Sequence, residues 1–208
     1  ATAPLVKWHE VAIDCNDWSV AVELLRRCTA AAVDLFLCTL LERDIVESMP
    51  SCSGLFRGEH RLLLLVDSGG LSTLKRLAKE SGSHFEYLGP ENLSTGNGLR
   101  ELSWNHTTLH MRSKDSQWTY LQMLLPQPET EAMDHIKRKW GKNIAWHLEG
   151  VRQQGSQRIV ALPLVRWQGR TLLEELIEDF RDIGSLIFNP HVITVEDGGL
   201  RVIDADQV

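Results

Sequence analysis

The stretch RLLLLVDSGGLSTLKRLAKESGSHFEYLG, residues 61–89, changes its hydrophobic period twice, and those changes decide the fold. Leu62 to Val66 form a continuous apolar run of strand length. Leu71, Leu74, Leu77 and Ala78 then repeat at helical spacing, and Gly82 stands where a C-terminal cap belongs. HFEYLG at 84–89 returns to a short strand. The Ser68-Gly69-Gly70 step fits neither GxGxxG nor the P-loop, so capping is its expected job rather than phosphate binding.

Upstream, KWHEVAIDC (7–15) alternates as a strand, Asn16 or Asp17 offers an N-cap, and Ala21, Val22, Leu24, Leu25 and Cys28 mark a helix. VDLFLCTLL (33–41) is a second strand, followed by a loop with Pro50, Ser51, Ser53 and Gly54. The order is β-α-β, β-α-β.

Downstream the order repeats. WTYLQMLLP (118–126) predicts a strand, and Met133, Ile136 and Trp140 a helix ending at Gly141. NIAWHLEGV (143–151) and RIVALPLVR (158–166) form a hairpin through QQGSQ. Thr171 and Glu174 have capping-box spacing before the helical face Leu172, Leu173, Leu176, Ile177, Phe180 and Ile183. FNPHVITVEDGG (188–199) supplies the closing strand, with Asn189-Pro190 at its start or at a bulge. The expected fold class is α+β: a tandem ferredoxin-like arrangement, β-α-β-β-α-β twice, forming a large, mainly antiparallel sheet covered by helices. Its halves are about 1–90 and 118–208, joined by an insertion at 91–117, and an insertion of that length suggests function.

Composition narrows the partners. With 43% hydrophobic and 24% charged residues the chain is ordinary for a globular protein, and a net charge of −6 argues against nucleic acid. The basic run Lys137-Arg138-Lys139 reads as a solvated helix face. No apolar run has the length of a membrane span, and no signal peptide is expected. Cys15, Cys28, Cys38 and Cys52 show no CxxC spacing, which favours a reduced, cytoplasmic setting. The chain starts ATAPLVKWHE without Met and stops at DADQV in mid-pattern, as a piece of a longer protein would.

Few residues suggest chemistry directly. His106 and His110 would share a helix face, but Thr107 stands where HExxH needs Glu and no third ligand is evident, so no metal is expected. The expectation there is a short helix through Thr107, Leu109 and Met111, capped by Asn105, with Trp104 and Leu109 packed inward. His147 and Glu149 alternate with Trp146 and Leu148, which reads as a solvated sheet face. No GxSxG elbow supports nucleophilic hydrolysis.

Two segments carry a resemblance. SWNHTTLHMRSKDSQWTYLQM (103–123) and SLIFNPHVITVEDGGLRVIDADQ (185–207) resemble the C-terminal substrate (cap) domain of FAD-linked oxidases. These form the vanillyl-alcohol oxidase and p-cresol methylhydroxylase superfamily, and the likeness is to its glycolate and D-lactate dehydrogenase branch. The resemblance implies an N-terminal FAD-binding domain, missing from this chain and supplied in cis or as a separate subunit. FAD would bind the full-length protein, not this chain alone. A small 2-hydroxy acid or alcohol would be oxidised by hydride transfer to the flavin, with a polar residue taking the hydroxyl proton. By the same resemblance His191 and His106 are the catalytic candidates, and Trp104, Asn105, Asn189, Tyr120, His147 and Glu196 the substrate-binding ones. The histidine-rich metal motif of some family members is absent. The alternative is a stand-alone ferredoxin-like module that binds a small molecule or dimerises through its sheet edges, and a homodimer is compatible with either reading.

Overall fold

Asp17 starts the first helix by accepting the Val20 amide at 3.0 Å on its side chain. The computed structural model describes residues 7–50, 55–93, 98–103 and 106–188. The first half runs β1 (Trp8–Cys15), α1 (Trp18–Ala30), β2 (Leu35–Glu42), a short α2 (Arg43–Ser48), β3 (His60–Asp67), α3 (Leu71–Glu80) and β4 (His84–Pro90). The sequence periodicity misses α2, which is too brief to establish one. Gly70 holds the N-cap position of α3 without a side-chain cap bond, and the Asp67 carboxylate takes the Gly69 and Gly70 amides at 3.0 and 3.1 Å. Gly82 lies past the helix end at φ +69°, a conformation glycine adopts without strain.

The insertion folds as α4 (Leu99–Ser103) and α5 (Thr107–Lys114). The second half follows with β5 (Trp118–Tyr120), β6 (Gln122–Leu124), α6 (Glu129–Trp140), β7 (Ile144–Ala145), β8 (His147–Gln153), β9 (Ser156–Ala161), β10 (Leu164–Arg166), α7 (Arg170–Asp182) and β11 (Leu186–Phe188). The eight-stranded sheet has the order β11-β6-β9-β8-β2-β3-β1-β4, antiparallel at every junction. In the ferredoxin-like order of each half, β1 and β3 lie between β4 and β2, and β6 and β9 between β11 and β8, and the halves meet edge to edge at β2 and β8. The tandem ferredoxin-like expectation is met.

Three strands expected to be continuous are each split in two. At Leu121, Trp146 and Leu162-Pro163 the chain bends, and β5, β10 and β7 leave the main sheet to form a three-stranded one. Backbone bonds tie the bends together: Leu121 N to Pro163 O at 3.1 Å, Leu162 N to His147 O at 2.8 Å and Glu42 N to Trp146 O at 3.0 Å. Pro163 has no N–H for the ladder and so suits the bend. The capping box is also corrected. Gly169 holds the N-cap position without a side-chain bond, and Glu174 pairs instead with Arg170, one turn back, at 2.6 Å. The described closing strand is Leu186–Phe188; the rest of FNPHVITVEDGG lies outside the described residues.

Two cores result. One packs Val11, Leu25, Cys38, Leu64, Leu148, Ile159, Met133 and Phe180 between the sheet and α1, α3, α6 and α7, spanning both halves. The other packs Leu37, Leu41, Leu63 and Leu65 under α2, α4, α5 and the small sheet. That second layer covers the first half of the sheet. Beyond β8, no described helix covers the same face.

Candidate functional site

Strand register lays out the open face in rungs. Thr39 sits opposite Glu149, Glu149 opposite Val160, Val160 opposite Leu124, and Leu124 opposite Leu186. On the next rung are Leu41 and His147, flanked by Leu162, Gln122 and Phe188. Most of these are apolar, and the polar groups gather where α5 meets the face.

There a hydrogen-bonded chain forms. The Thr39 hydroxyl donates to both Glu149 oxygens, at 2.8 and 2.7 Å. His147 Nε2 lies 2.8 Å from Glu149 Oε1, and His147 Nδ1 lies 2.9 Å from the Thr107 hydroxyl. A carboxylate only accepts, so Nε2 carries the hydrogen toward Glu149, and Nδ1 faces the Thr107 hydroxyl. His147 is 1% exposed and the Glu149 side chain 18% exposed. The solvated reading of this pair is therefore corrected: α5 buries the histidine, and the hydrogen-bonded chain offsets the loss of water. Sequence alternation places the pair on one face but could not supply Thr107, forty residues away in the insertion, or Thr39, one polar residue in an apolar run.

Beside Glu149 lies a groove of about 370 Å³ lined by Phe36, Leu37, Cys38, Gln122, Glu149, Gly150, Val151, Val160 and Leu162. A register shift between Leu35 and Leu37 accompanies the outward turn of Phe36, whose ring packs edge-on to Trp8 at 5.7 Å and carries the Arg100 guanidinium 3.5 Å above it.

The other expected site residues are scattered. His106 is the half-buried N-cap residue of α5, with Nδ1 bonded to the Glu101 carbonyl oxygen. It neighbours Thr107 in sequence and so flanks the polar chain. Tyr120 ends β5, half-buried, opposite Leu164. Trp104, Asn105, Asn189, His191 and Glu196 lie outside the described residues. Leu109 does not pack inward as expected: it is 60% exposed, while Thr107 and Met111 face the core. Burial lowers the His110 pKa, opposed by a bond to the Leu102 backbone, and its Nε2 has no partner among the described residues. Among the described residues no group of three or more His, Cys, Asp or Glu is placed to hold a metal. No described helix is long and apolar enough to cross a membrane.

Among the described residues, fold and site together define an α+β domain with one half of a sheet face covered and the other half uncovered beside a buried polar chain. No protein-family model matches the sequence, and no curated protein matches it. Among solved structures, alkyldihydroxyacetonephosphate synthase is similar over 99% of this chain, with a TM-score of 0.58 at 11% identity. This chain spans 43% of that one, so the likeness establishes a shared fold with part of a larger protein. A structure assigned as a glycine cleavage system transcriptional repressor aligns with 89% of this chain and 99% of its own at 13% identity, but its TM-score of 0.27 is too low to carry an argument.

Proposed function

We propose that this chain is the substrate-binding cap domain of a flavin-dependent oxidoreductase, acting on a 2-hydroxy acid or an alcohol. The observation that carries the reading is the open second half of the sheet face, beside a buried polar chain, in a fold shared with under half of a larger enzyme. The sequence resemblance to the cap domain of FAD-linked oxidases points the same way. A second domain closing over the open face would exclude water from the groove, and in a low-dielectric space its polar groups act more strongly.

The described residues on this face fit a flavin ring as a cover, being largely apolar at Val160, Leu162 and Leu124 with Gln122 as a polar contact. They offer no cradle for its phosphates, which the N-terminal domain would hold. Bound FAD would supply the hydride acceptor. This chain's part is to bind the substrate and take its hydroxyl proton. His191 and His106 are the proposed acceptors; Trp104, Asn105, Asn189, Tyr120, His147 and Glu196 would orient the substrate.

Expression of the full reading frame tests this. A yellow protein whose 450 nm flavin band bleaches anaerobically with an alcohol or 2-hydroxy acid is expected, with slower bleaching after His191→Ala or His106→Ala. A colourless product, with no FAD-binding region or partner gene encoded alongside, would sink the reading. Unchanged bleaching in a histidine variant would remove that histidine from the site.

A further inference from the structure

We infer that the groove between Phe36 and Gln122 is the substrate pocket, and that it takes an uncharged alcohol with an apolar body whose hydroxyl donates to the Glu149 carboxylate in the binding complex, ahead of that proton's transfer to a histidine acceptor. This deepens the oxidoreductase reading and rests on it for the reaction, though not for binding.

The acceptor comes first. A carboxylate offers about four lone-pair sites. The Thr39 hydroxyl and His147 Nε2 hold Glu149 in place without filling them, and the side chain keeps 18% of its exposure at the groove. A fixed, partly exposed acceptor in an otherwise apolar wall is what orients a small ligand. Phe36, Val151, Val160 and Leu162 make that wall. The volume, about 370 Å³, is at the small end of ligand sites, suited to one ring or a short chain.

Charge then separates the substrate classes. Among the described residues the lining holds a carboxylate and the Gln122 amide and no cation, so against these residues a 2-hydroxy acid would bring its carboxylate to Glu149 without a counter-charge. The neighbouring arginines are mostly engaged. Arg100 lies on the Phe36 ring and pairs with Glu91 at 2.8 Å. Arg152 donates to the carbonyls of Thr29, Ala31 and Val33 at 2.6 to 2.9 Å. Arg158 stands opposite Val151 on the rung beyond, outside the lining. It is the cation that would have to be recruited for an acid to bind.

Benzyl alcohol and mandelate share a phenyl ring and a hydroxyl and differ by a carboxylate, so they form the test pair. Both are titrated calorimetrically into the full-length protein, with anaerobic flavin reduction followed in parallel. Benzyl alcohol should bind at least tenfold more tightly. Glu149→Gln keeps a group for Thr39 and His147 but loses the charge-assisted bond, and should weaken benzyl alcohol about tenfold. Val160→Phe fills the groove, keeps every donor and acceptor of the polar chain, and should abolish binding; it decides the matter if Glu149→Gln fails to fold. Unchanged benzyl alcohol affinity in folded Val160→Phe, or no binding of benzyl alcohol to the wild type at millimolar concentration, overturns the inference. So does preferred binding of mandelate that is lost in Arg158→Ala. A flavin-free protein that binds benzyl alcohol through Glu149 would sink the oxidoreductase reading and leave the pocket standing. A flavoprotein reduced by mandelate regardless of Glu149 would do the reverse.

Discussion

Arg61 shows how single side chains in this molecule depend on partners distant in sequence. It is fully buried and Asp14 nearly so, and its Nε and Nη2 reach the two Asp14 oxygens at 2.6 and 2.9 Å. The Leu55 carbonyl takes a further bond from Arg61, and the Arg57 amide donates to Asp14. Removing one partner strands the other charge away from water, so Arg61→Ala should lose about 3–5 kcal/mol of stability by urea denaturation. His60, edge-on to Trp18 at 4.9 Å, gives a pH signature. Burial holds its pKa below the ordinary 6.5, while Glu42, Glu59 and Asp17 pull the other way. The unfolded chain therefore takes up a proton at higher pH than the folded one, so stability is complete above about pH 6.5 and falls as the pH drops through that window. His110, also lowered by burial, acts in the same sense. The acid-side fall in the urea midpoint should shrink in His60→Gln and shrink further in the double variant with His110→Gln; an identical pH profile would refute it. In the sequence these residues read only as alternating strand or helix positions. Their partners are tens of residues away, and pairing at that distance is set by topology, which periodicity does not carry.

At the level of elements, legibility follows length. The helices α1, α3, α6 and α7 and the strands β1 to β4 are long enough to establish a period, and the sequence places them within a few residues. The splits at Leu121, Trp146 and Leu162 were not legible, because a strand that switches sheets keeps its apolar pattern through the bend. The short α2 and α4 were missed for want of two full turns. The groove is a product of these unseen features, since it needs the outward turn of Phe36 and the bend before Gln122. How the halves pack is likewise invisible in a one-dimensional pattern, and Gly150 shows why. A Cβ at Gly150 would collide with the Thr29 hydroxyl of α1 and press on Leu25, so the first-half helix lies directly against a second-half strand. Gly150→Ala should cost about 1–3 kcal/mol by overpacking. Thr29→Ala removes the colliding oxygen, so the double variant should be less destabilised than the sum of the two singles; strict additivity in denaturant melts would show that the contact is not the cause.

Across the whole molecule, the two halves join through a short seam: Thr39 opposite Glu149, Leu40 opposite Leu148 and Leu41 opposite His147. Ladder bonds over so short a stretch would not by themselves couple two independent folds. The apolar layer does so instead, because Leu25, Cys38, Leu148 and Ile159 belong to one continuous cluster that includes Met133 and Phe180 of the far helices. Ion pairs reinforce it from the side: Arg26 of α1 bonds buried Glu129 of α6, and Lys137 reaches Glu42 at 2.8 Å. Neither half can leave without exposing apolar surface of the other, so the two halves are expected to unfold as one cooperative unit rather than two. Urea unfolding followed by tryptophan fluorescence and by far-ultraviolet circular dichroism should therefore give coincident single transitions. Segments 7–90 and 118–188 expressed separately should lack a cooperative transition, since each would expose half of the shared core. A stable, sharply melting half would show that the seam, not the core, is where the molecule divides, and would move the boundary of the functional unit to β2 and β8.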